Sequence, residues 1–184
     1  MTTKRIVVGF DIRKSSSLAN VYMTSYDENT RYEDIYEELR TYQNGLNLFY
    51  VDPSDLIPPE VAADARIVAF DLPEDVVQSL LSGNVSTPKP LPKADLKNGW
   101  GFIGFDVVDP ITQTSAFHGF TPSIPVVLID CIVSFNDYGL LEDFETALKV
   151  ANYYSDHISE HAPFSPCGVW LKQACNLEGR REIP

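Results

Sequence analysis

Short apolar runs separated by polar turns predict a sheet of several strands. The runs are rich in Val, Ile, Leu and Phe, which favour strands, and they end at Asp, Pro, Gly or Ser. The predicted strands are 4–12, 46–51, 66–72, 100–108, 126–135 and 168–171, with a weaker one at 18–26. Residues 13–17 are predicted to be a polar turn. The run 112–117 follows 100–108 after Asp109 and Pro110, which predicts a β-hairpin around which the other elements are arranged.

Other stretches have the spacing of apolar residues that is typical of helices. Thr30 and Glu33 have capping-box spacing, and the helix that they introduce is predicted to end near residue 44. A short helix is predicted after the prolines 58–59, and another over 73–83. The longest predicted helix runs over about 141–160. Its predicted buried face contains Phe144, Leu148, Ala151 and Ile158.

These elements predict a single α+β domain over residues 1–184. We expect a mixed, mainly antiparallel sheet with two longer helices and short helices packed on it. Prolines alternate with lysines in residues 84–98, which predicts a solvated surface loop. Residues 176–184 are charged and are predicted to form a frayed tail.

Composition favours a packed protein of the cytoplasm. Hydrophobic residues make up 44% of the chain and charged residues 22%, which is typical of a globular domain. The three cysteines, Cys131, Cys167 and Cys175, are odd in number and lack the spacings of a disulfide framework, so we expect reduced thiols. The first apolar run is too short for a signal peptide, and no run is long enough to span a membrane.

Negative charge is concentrated in one part of the chain. The net charge is −12, and residues 98–148 contain no Lys or Arg. Seven acids lie in that interval: Asp106, Asp109, Asp130, Asp137, Glu142, Asp143 and Glu145. Such a field repels nucleic acid and attracts a basic protein. The alternative is that the charge serves only to keep the chain in solution.

Three acids share a local motif, in which Phe-Asp-aliphatic closes a predicted strand. The three copies are Phe10-Asp11-Ile12, Phe70-Asp71-Leu72 and Phe105-Asp106-Val107. If these strand ends met, the carboxylates could hold a hard cation such as Mg²⁺. The alternative is that each Asp marks the point where its strand reaches solvent.

A second set of residues contains side chains of the types that bind zinc. His157 and His161 lie four apart on the longest predicted helix, and Cys167 and Cys175 follow. The Glu that follows the first His of zincin proteases is missing, and the cysteines form no closely spaced pair. Partly buried histidines beside an apolar face explain the same pattern. No nucleophile elbow or nucleotide-binding loop occurs, so we predict no catalytic residue, metal or cofactor.

One short segment resembles an enzyme motif. Residues 7–18, VVGFDIRKSSSL, resemble the opening motif of class III nucleotidyl cyclases. The resemblance implies that Asp11 is a metal ligand. The second cyclase motif, a Gly-Asp-Gly hairpin, is absent from the chain. A divalent-metal nucleotide enzyme is therefore the alternative function.

A broader resemblance covers residues 99–171. Its motifs are FIGFDVVD, NDYGL and EHAPF followed by GVWL. They resemble a family of small bacterial proteins that is similar to the immunity proteins encoded beside polymorphic and contact-dependent toxins. The resemblance implies direct binding and neutralisation of a basic toxin domain, such as a cationic nuclease, without a cofactor.

We predict that four acids of the base-free interval contact this protein partner. They lie in turns or on the polar side of a helix: Asp109, Asp137, Glu142 and Glu145. A non-enzymatic regulatory protein with another partner is a further alternative.

Overall fold

The fold confirms the α+β prediction. The computed structural model describes residues 4–20, 23, 32–82, 90–117, 135–158 and 163–173, which form one domain. Its five strands are β1 (Arg5–Lys14), β2 (Ala65–Pro73), β3 (Trp100–Asp109), β4 (Thr114–Ser115) and β5 (Ser165–Lys172). They form a curled antiparallel sheet in the order β1-β2-β5-β3-β4. The helices are α1 (Glu33–Glu38), α2 (Pro59–Ala62), α3 (Glu74–Ser82) and α4 (Phe144–His157).

Alternation along the strands sorts the apolar side chains into two clusters. The larger cluster contains Val68 and Phe70 of β2 and the buried face of α4. The smaller contains Phe10 and Ile12 of β1 with Ala69 of β2. Strand β2 supplies both clusters because its alternate side chains point to opposite faces of the sheet and both faces are covered, which explains its nearly continuous apolar sequence.

Helix α4 starts at a side-chain cap. The carboxylate of Asp143 accepts a hydrogen bond from the Thr146 amide at 2.8 Å, so the helix begins three residues later than predicted. Its buried residues are Ala147, Val150, Ala151 and Tyr154. Of the four residues predicted to be buried, Ala151 is buried, whereas Phe144, Leu148 and Ile158 are half-buried. The buried face of α4 is therefore rotated about the helix axis relative to the predicted buried face.

The two long hairpins of the sheet have the same construction. Strands β1 and β3 both have ten residues and both contain Gly-Phe-Asp at the same position. Strand β1 pairs with β2 so that Phe10 faces Ala69, and β3 pairs with β5 so that Phe105 faces Gly168. In each long strand the pairing register shifts two residues before the Phe of Gly-Phe-Asp. The shift lies between Val7 and Gly9 in β1 and between Phe102 and Gly104 in β3.

A tight turn, residues 44–49, covers the outer edge of β1. The Asn44 side-chain amide donates to the carbonyl of Val8 at 2.8 Å, and its Oδ1 accepts from the backbone amides two and four residues later. Asn47 has a positive φ of 51°. Phe49 then forms an antiparallel bridge with Phe10. We call this segment the first turn.

The second turn, residues 136–141, covers the outer edge of β3 in the same way. The Asn136 side-chain amide donates to the carbonyl of Ile103 at 2.7 Å, and its Oδ1 accepts from the amides two and four residues later. Gly139 has a positive φ of 73°, and Leu141 forms an antiparallel bridge with Phe105. The two turns therefore share their side-chain and backbone hydrogen bonds.

These turns explain the glycine of each Gly-Phe-Asp motif. A Cβ on Gly104 would lie 2.7 Å from the Cβ of Leu140, and Gly104 has a φ of 142° that side chains disfavour. A Cβ on Gly9 would overlap the Cβ of Leu48, which is the equivalent residue of the first turn. Glycine is required because each turn lies directly against its strand.

The first third of the chain contains most of the wrong predictions. Residues 46–51 are not a regular strand, because 44–49 form the first turn. Arg13 and Lys14 continue β1 and do not turn. Residues 18–20 belong to a 3-10 helix (Ser15–Asn20) and not to a strand, and of the remaining predicted segment only Met23 is described.

Other predictions are confirmed in part. The helix predicted from Thr30 breaks after α1 and continues as a 3-10 turn (Arg40–Tyr42), and Thr30 lies outside the described residues. The predicted helices α2 and α3 and the β3–β4 hairpin are confirmed. Of the strand predicted over 126–135, only residue 135 is described, and it is in no strand.

The Pro/Lys-rich segment is not wholly solvated. Its described part, residues 90–98, forms neither helix nor strand, but Leu96 is buried in the smaller cluster. Residues 84–89 and 176–184 lie outside the described residues. None of the helices in the described part of the chain is long and apolar enough to cross a membrane.

Candidate protein-binding surface

An exposed aromatic ring lies on β3. Phe102 is 41% exposed, which is unusual for a Phe side chain. Its ring centroid lies 4.8 Å from that of Phe105 and 5.1 Å from that of Trp170, both in edge-on contact. Phe105 in turn contacts Phe144, the first residue of α4, at 5.7 Å. The exposed ring is thus held in place by an aromatic cluster.

Exposed carboxylates lie on a segment that is fastened to the same strand. The second turn is fastened to β3 at Ile103 and Phe105, the residues that follow Phe102 along the strand. Asp137 lies within the turn, Glu142 follows it, and Glu145 lies in the first helical turn of α4; all three are exposed, as predicted. We call Phe102, Asp137, Glu142 and Glu145 the acidic-aromatic surface.

The side chain of Arg5 packs against the aromatic cluster. The Arg5 guanidinium lies 5.4 Å from the ring centroid of Phe105 and 5.9 Å from that of Phe144, within cation–π range. Its Nε donates to Asp71 Oδ1 at 2.5 Å. Trp170 Nε1 donates to the other oxygen of Asp71 at 2.7 Å. The charge of Asp71 is therefore engaged within the fold, whereas the acids of the acidic-aromatic surface face solvent.

Asp109 does not belong to this surface, and its predicted role as a partner contact is wrong. It is fully buried. Its Oδ1 accepts from the Ile111 amide at 2.9 Å, and its Oδ2 accepts from Thr112 Oγ1 at 2.7 Å. The carboxylate stabilises the turn between β3 and β4, because it binds donors that the turn would otherwise leave unpaired.

The three Phe-Asp carboxylates have separate sets of contacts. Asp11 forms an ion pair with Arg13, with 2.5 Å between Oδ2 and Nη2, and both side chains are 0% exposed. Asp71 is held by Arg5 and Trp170 as described. The described residues include no group of three or more His, Cys, Asp or Glu side chains that could hold a metal ion.

Asp106 is the third of these carboxylates and is also fully buried. It accepts from Ser115 Oγ at 2.6 Å and from the Met23 amide at 3.1 Å. Burial raises the pKa of Asp106 to about 7, while these donors and the charge of Arg13 oppose the rise. Its position in β3 matches that of Asp11 in β1, and in both strands the carboxylate accepts from the next backbone amide.

The histidine and cysteine set is only partly described. His157 is exposed, and its ring stacks on Tyr153 at 4.0 Å between centroids. Cys167 is fully buried opposite Asp106, and burial raises the pKa of its thiol well above the usual value. His161, Cys131 and Cys175 lie outside the described residues.

No protein-family model, curated protein sequence or solved structure matches this chain. The candidate surface is therefore defined by its own geometry. The sequence pattern predicted the exposure of its three acids but not that of Phe102, because an aromatic residue in a predicted buried strand gives no sign of exposure. The buried pair of Asp11 and Arg13 was also missed, because Arg13 lies in a polar run that is typical of a turn.

Proposed function

We propose that this chain is an immunity-type protein that neutralises a basic bacterial toxin domain by direct binding, in the cytoplasm and without a cofactor. The observation that supports this most is that Phe102 is exposed on β3, the strand to which the segment with three exposed carboxylates is fastened. Interfaces commonly combine a central aromatic anchor with a polar rim. The acidic-aromatic surface has both parts.

The geometry suits an anchor that is ready to bind. Phe102 contacts Phe105 and Trp170, so its ring loses little conformational freedom when a partner covers it. The carboxylates provide long-range attraction for a basic partner, which raises the association rate. The aromatic anchor then supplies short-range contacts that slow dissociation.

The resemblance to immunity proteins supports the same surface. Its motif FIGFDVVD forms most of β3 and contains Phe102. Its motif NDYGL forms the second turn and contains Asp137. Two of the segments that suggested the family therefore build the acidic-aromatic surface.

The first test removes three charges from this surface. We expect the combined substitution Asp137→Asn, Glu142→Gln and Glu145→Gln to slow association with the product of the adjacent gene by about tenfold at low salt. The difference should shrink near 0.15 M salt, where the Debye length is about 8 Å. The melting temperature should barely change, because the substituted side chains are exposed. Stopped-flow association at two salt concentrations measures the effect.

The matched control removes three charges elsewhere. Asp34, Glu37 and Glu38 are exposed on α1, so Asp34→Asn, Glu37→Gln and Glu38→Gln change the net charge equally. This control should associate faster than the first variant. Equal rates for the two triple variants would show that only net charge matters. Failure of the unaltered chain to bind the adjacent gene product, or any basic domain encoded near it, would count against the proposed function.

A further inference from the structure

The two halves of the sheet repeat one unit. Residues 5–73 and 100–172 each contain a ten-residue strand with a bulge, an asparagine turn fastened to its edge, and a second strand paired in the same register. Both turns have a positive φ at their fourth residue. Both long strands have a glycine that the turn covers at close range.

A local twofold axis relates the two units. Strands β2 and β5 pair antiparallel at the centre of the sheet, and Phe70 faces Val169 there. Each of these residues also faces the glycine of its own Gly-Phe-Asp strand, so they occupy equivalent positions. Two identical units joined through equivalent strands give this arrangement.

Contacts across the axis are also equivalent. Arg5, the first residue of β1, lies over the ring of Phe105 in the other unit. Trp100, the first residue of β3, contacts the ring of Phe10 at 5.5 Å between centroids. In each unit the first residue of the long strand therefore packs against the Phe of the other unit's Gly-Phe-Asp motif, although this residue is an arginine in one unit and a tryptophan in the other.

We infer that the chain is a duplicated strand–turn–strand unit whose second turn, and not the first, is the recognition segment for one basic protein partner per chain. This inference rests on the proposed function and adds to it the residues that determine specificity. Asp137, Tyr138 and Glu142 occupy the positions that Gly45, Leu46 and Tyr50 occupy in the first unit.

The shared residues build the turn, whereas the divergent ones do not. The turn-forming hydrogen bonds come from Asn44 or Asn136 and from the backbone. The side chains of Asp137 and Glu142 are exposed. Tyr138 is half-buried and packs against the larger cluster, as its equivalent Leu46 does, so the difference in exposed charge lies at Asp137 and Glu142. The first turn serves packing, and the second has gained charge that packing does not need.

The test gives the second turn the side chains of the first. The variant carries Asp137→Gly and Tyr138→Leu within the turn and Glu142→Tyr directly after it, so each position takes the residue of its equivalent position in the first unit, Gly45, Leu46 or Tyr50. We expect its melting temperature to shift by less than about 4 °C and its affinity for the adjacent gene product to fall about tenfold or more. Calorimetric titration of the unaltered chain should give one partner per chain.

Each outcome bears on a separate claim. A folded variant that binds like the unaltered chain overturns the recognition role of the second turn, while the proposed function stands. A large fall in melting temperature overturns the interchangeability of the turns, and Glu142→Tyr alone then tests recognition by the same titration. Two partners per chain would overturn the assignment to one turn. No binding by the unaltered chain overturns the proposed function, while the melting temperatures still test the equivalence of the turns.

A control separates turn identity from charge. Asp34→Asn with Glu37→Gln removes two charges from exposed positions of α1, as many as the turn variant removes. We expect this control to keep at least about half of the affinity, because those acids lie outside the second turn. An equal loss in both variants would overturn the assignment.

Discussion

Replacing Arg13 with methionine is expected to lower the free energy of unfolding by about 3–5 kcal/mol. The Arg13 and Asp11 side chains are both fully buried and are paired at 2.5 Å. Removing the guanidinium takes away the cation that pairs with the buried carboxylate of Asp11, and breaking one side of a buried ion pair is strongly destabilising. Urea unfolding at neutral pH measures the loss.

A second substitution distinguishes charge from packing. If the lower free energy of unfolding comes from the charge of Asp11 without its Arg13 partner, then Arg13→Met combined with Asp11→Asn should recover much of that free energy. Arg66 faces Arg13 on β2 but is half-buried, so Arg66→Met should cost about 1 kcal/mol or less. A double variant as unstable as Arg13→Met alone would contradict an electrostatic cause.

Stability is expected to fall between pH 5 and pH 8 because of Asp106. Its pKa is about 7 in the folded chain, against 3.8 for an ordinary Asp, so the folded state keeps a proton that the unfolded state has lost. Its contribution is complete below pH 4 and is lost as the pH rises through 7. From pH 5 upward the loss is roughly 3 kcal/mol, at about 1.4 kcal/mol for each pH unit below the folded pKa.

The variant Asp106→Asn should remove this slope, because Asn does not titrate. Its absolute stability can differ, since Met23 and Ser115 both donate to the carboxylate. The change between pH 5 and pH 8 is therefore the quantity to compare, by urea unfolding at several pH values. Asp143→Asn is the control, because the pKa of Asp143 is lowered and its contribution does not change in that range. An unaltered slope in Asp106→Asn would contradict a buried neutral carboxyl.

The sequence predicted strongly patterned elements well. Helix α4 and strands β1, β2 and β3 were predicted within a few residues, because their apolar residues repeat at the helical period or form long β-favouring runs. The end of β1 was missed. Arg13 is typical of a turn by composition, but its pairing with Asp11 allows the strand to continue into the interior.

The first turn shows why local pattern failed elsewhere. Its sequence, NGLNLF, has the apolar content of a strand, whereas NDYGLL at the second turn is typical of a loop. Both segments adopt the same conformation because Asn44 and Asn136 make the same hydrogen bonds. Such bonds depend on a neighbouring strand edge, which no local pattern contains.

The candidate surface was predicted only in part. Exposure of Asp137, Glu142 and Glu145 follows from their positions in a turn and on the polar side of a helix, and the structure confirms it. The prediction that Asp109 contacts the partner was wrong, because a carboxylate after a strand can equally accept hydrogen bonds from its own turn. The exposure of Phe102 depends on how β3 and β5 pair, which is a tertiary property.

Hydrogen–deuterium exchange of the complex tests the central claim most directly. The unaltered chain is compared free and saturated with the adjacent gene product, and protection of each amide is mapped. The proposed function predicts new protection over residues 136–145 and no change over α1 or residues 44–49. Protection confined to α1 or to the first turn, with residues 136–145 exchanging as in the free chain, would contradict binding through the acidic-aromatic surface.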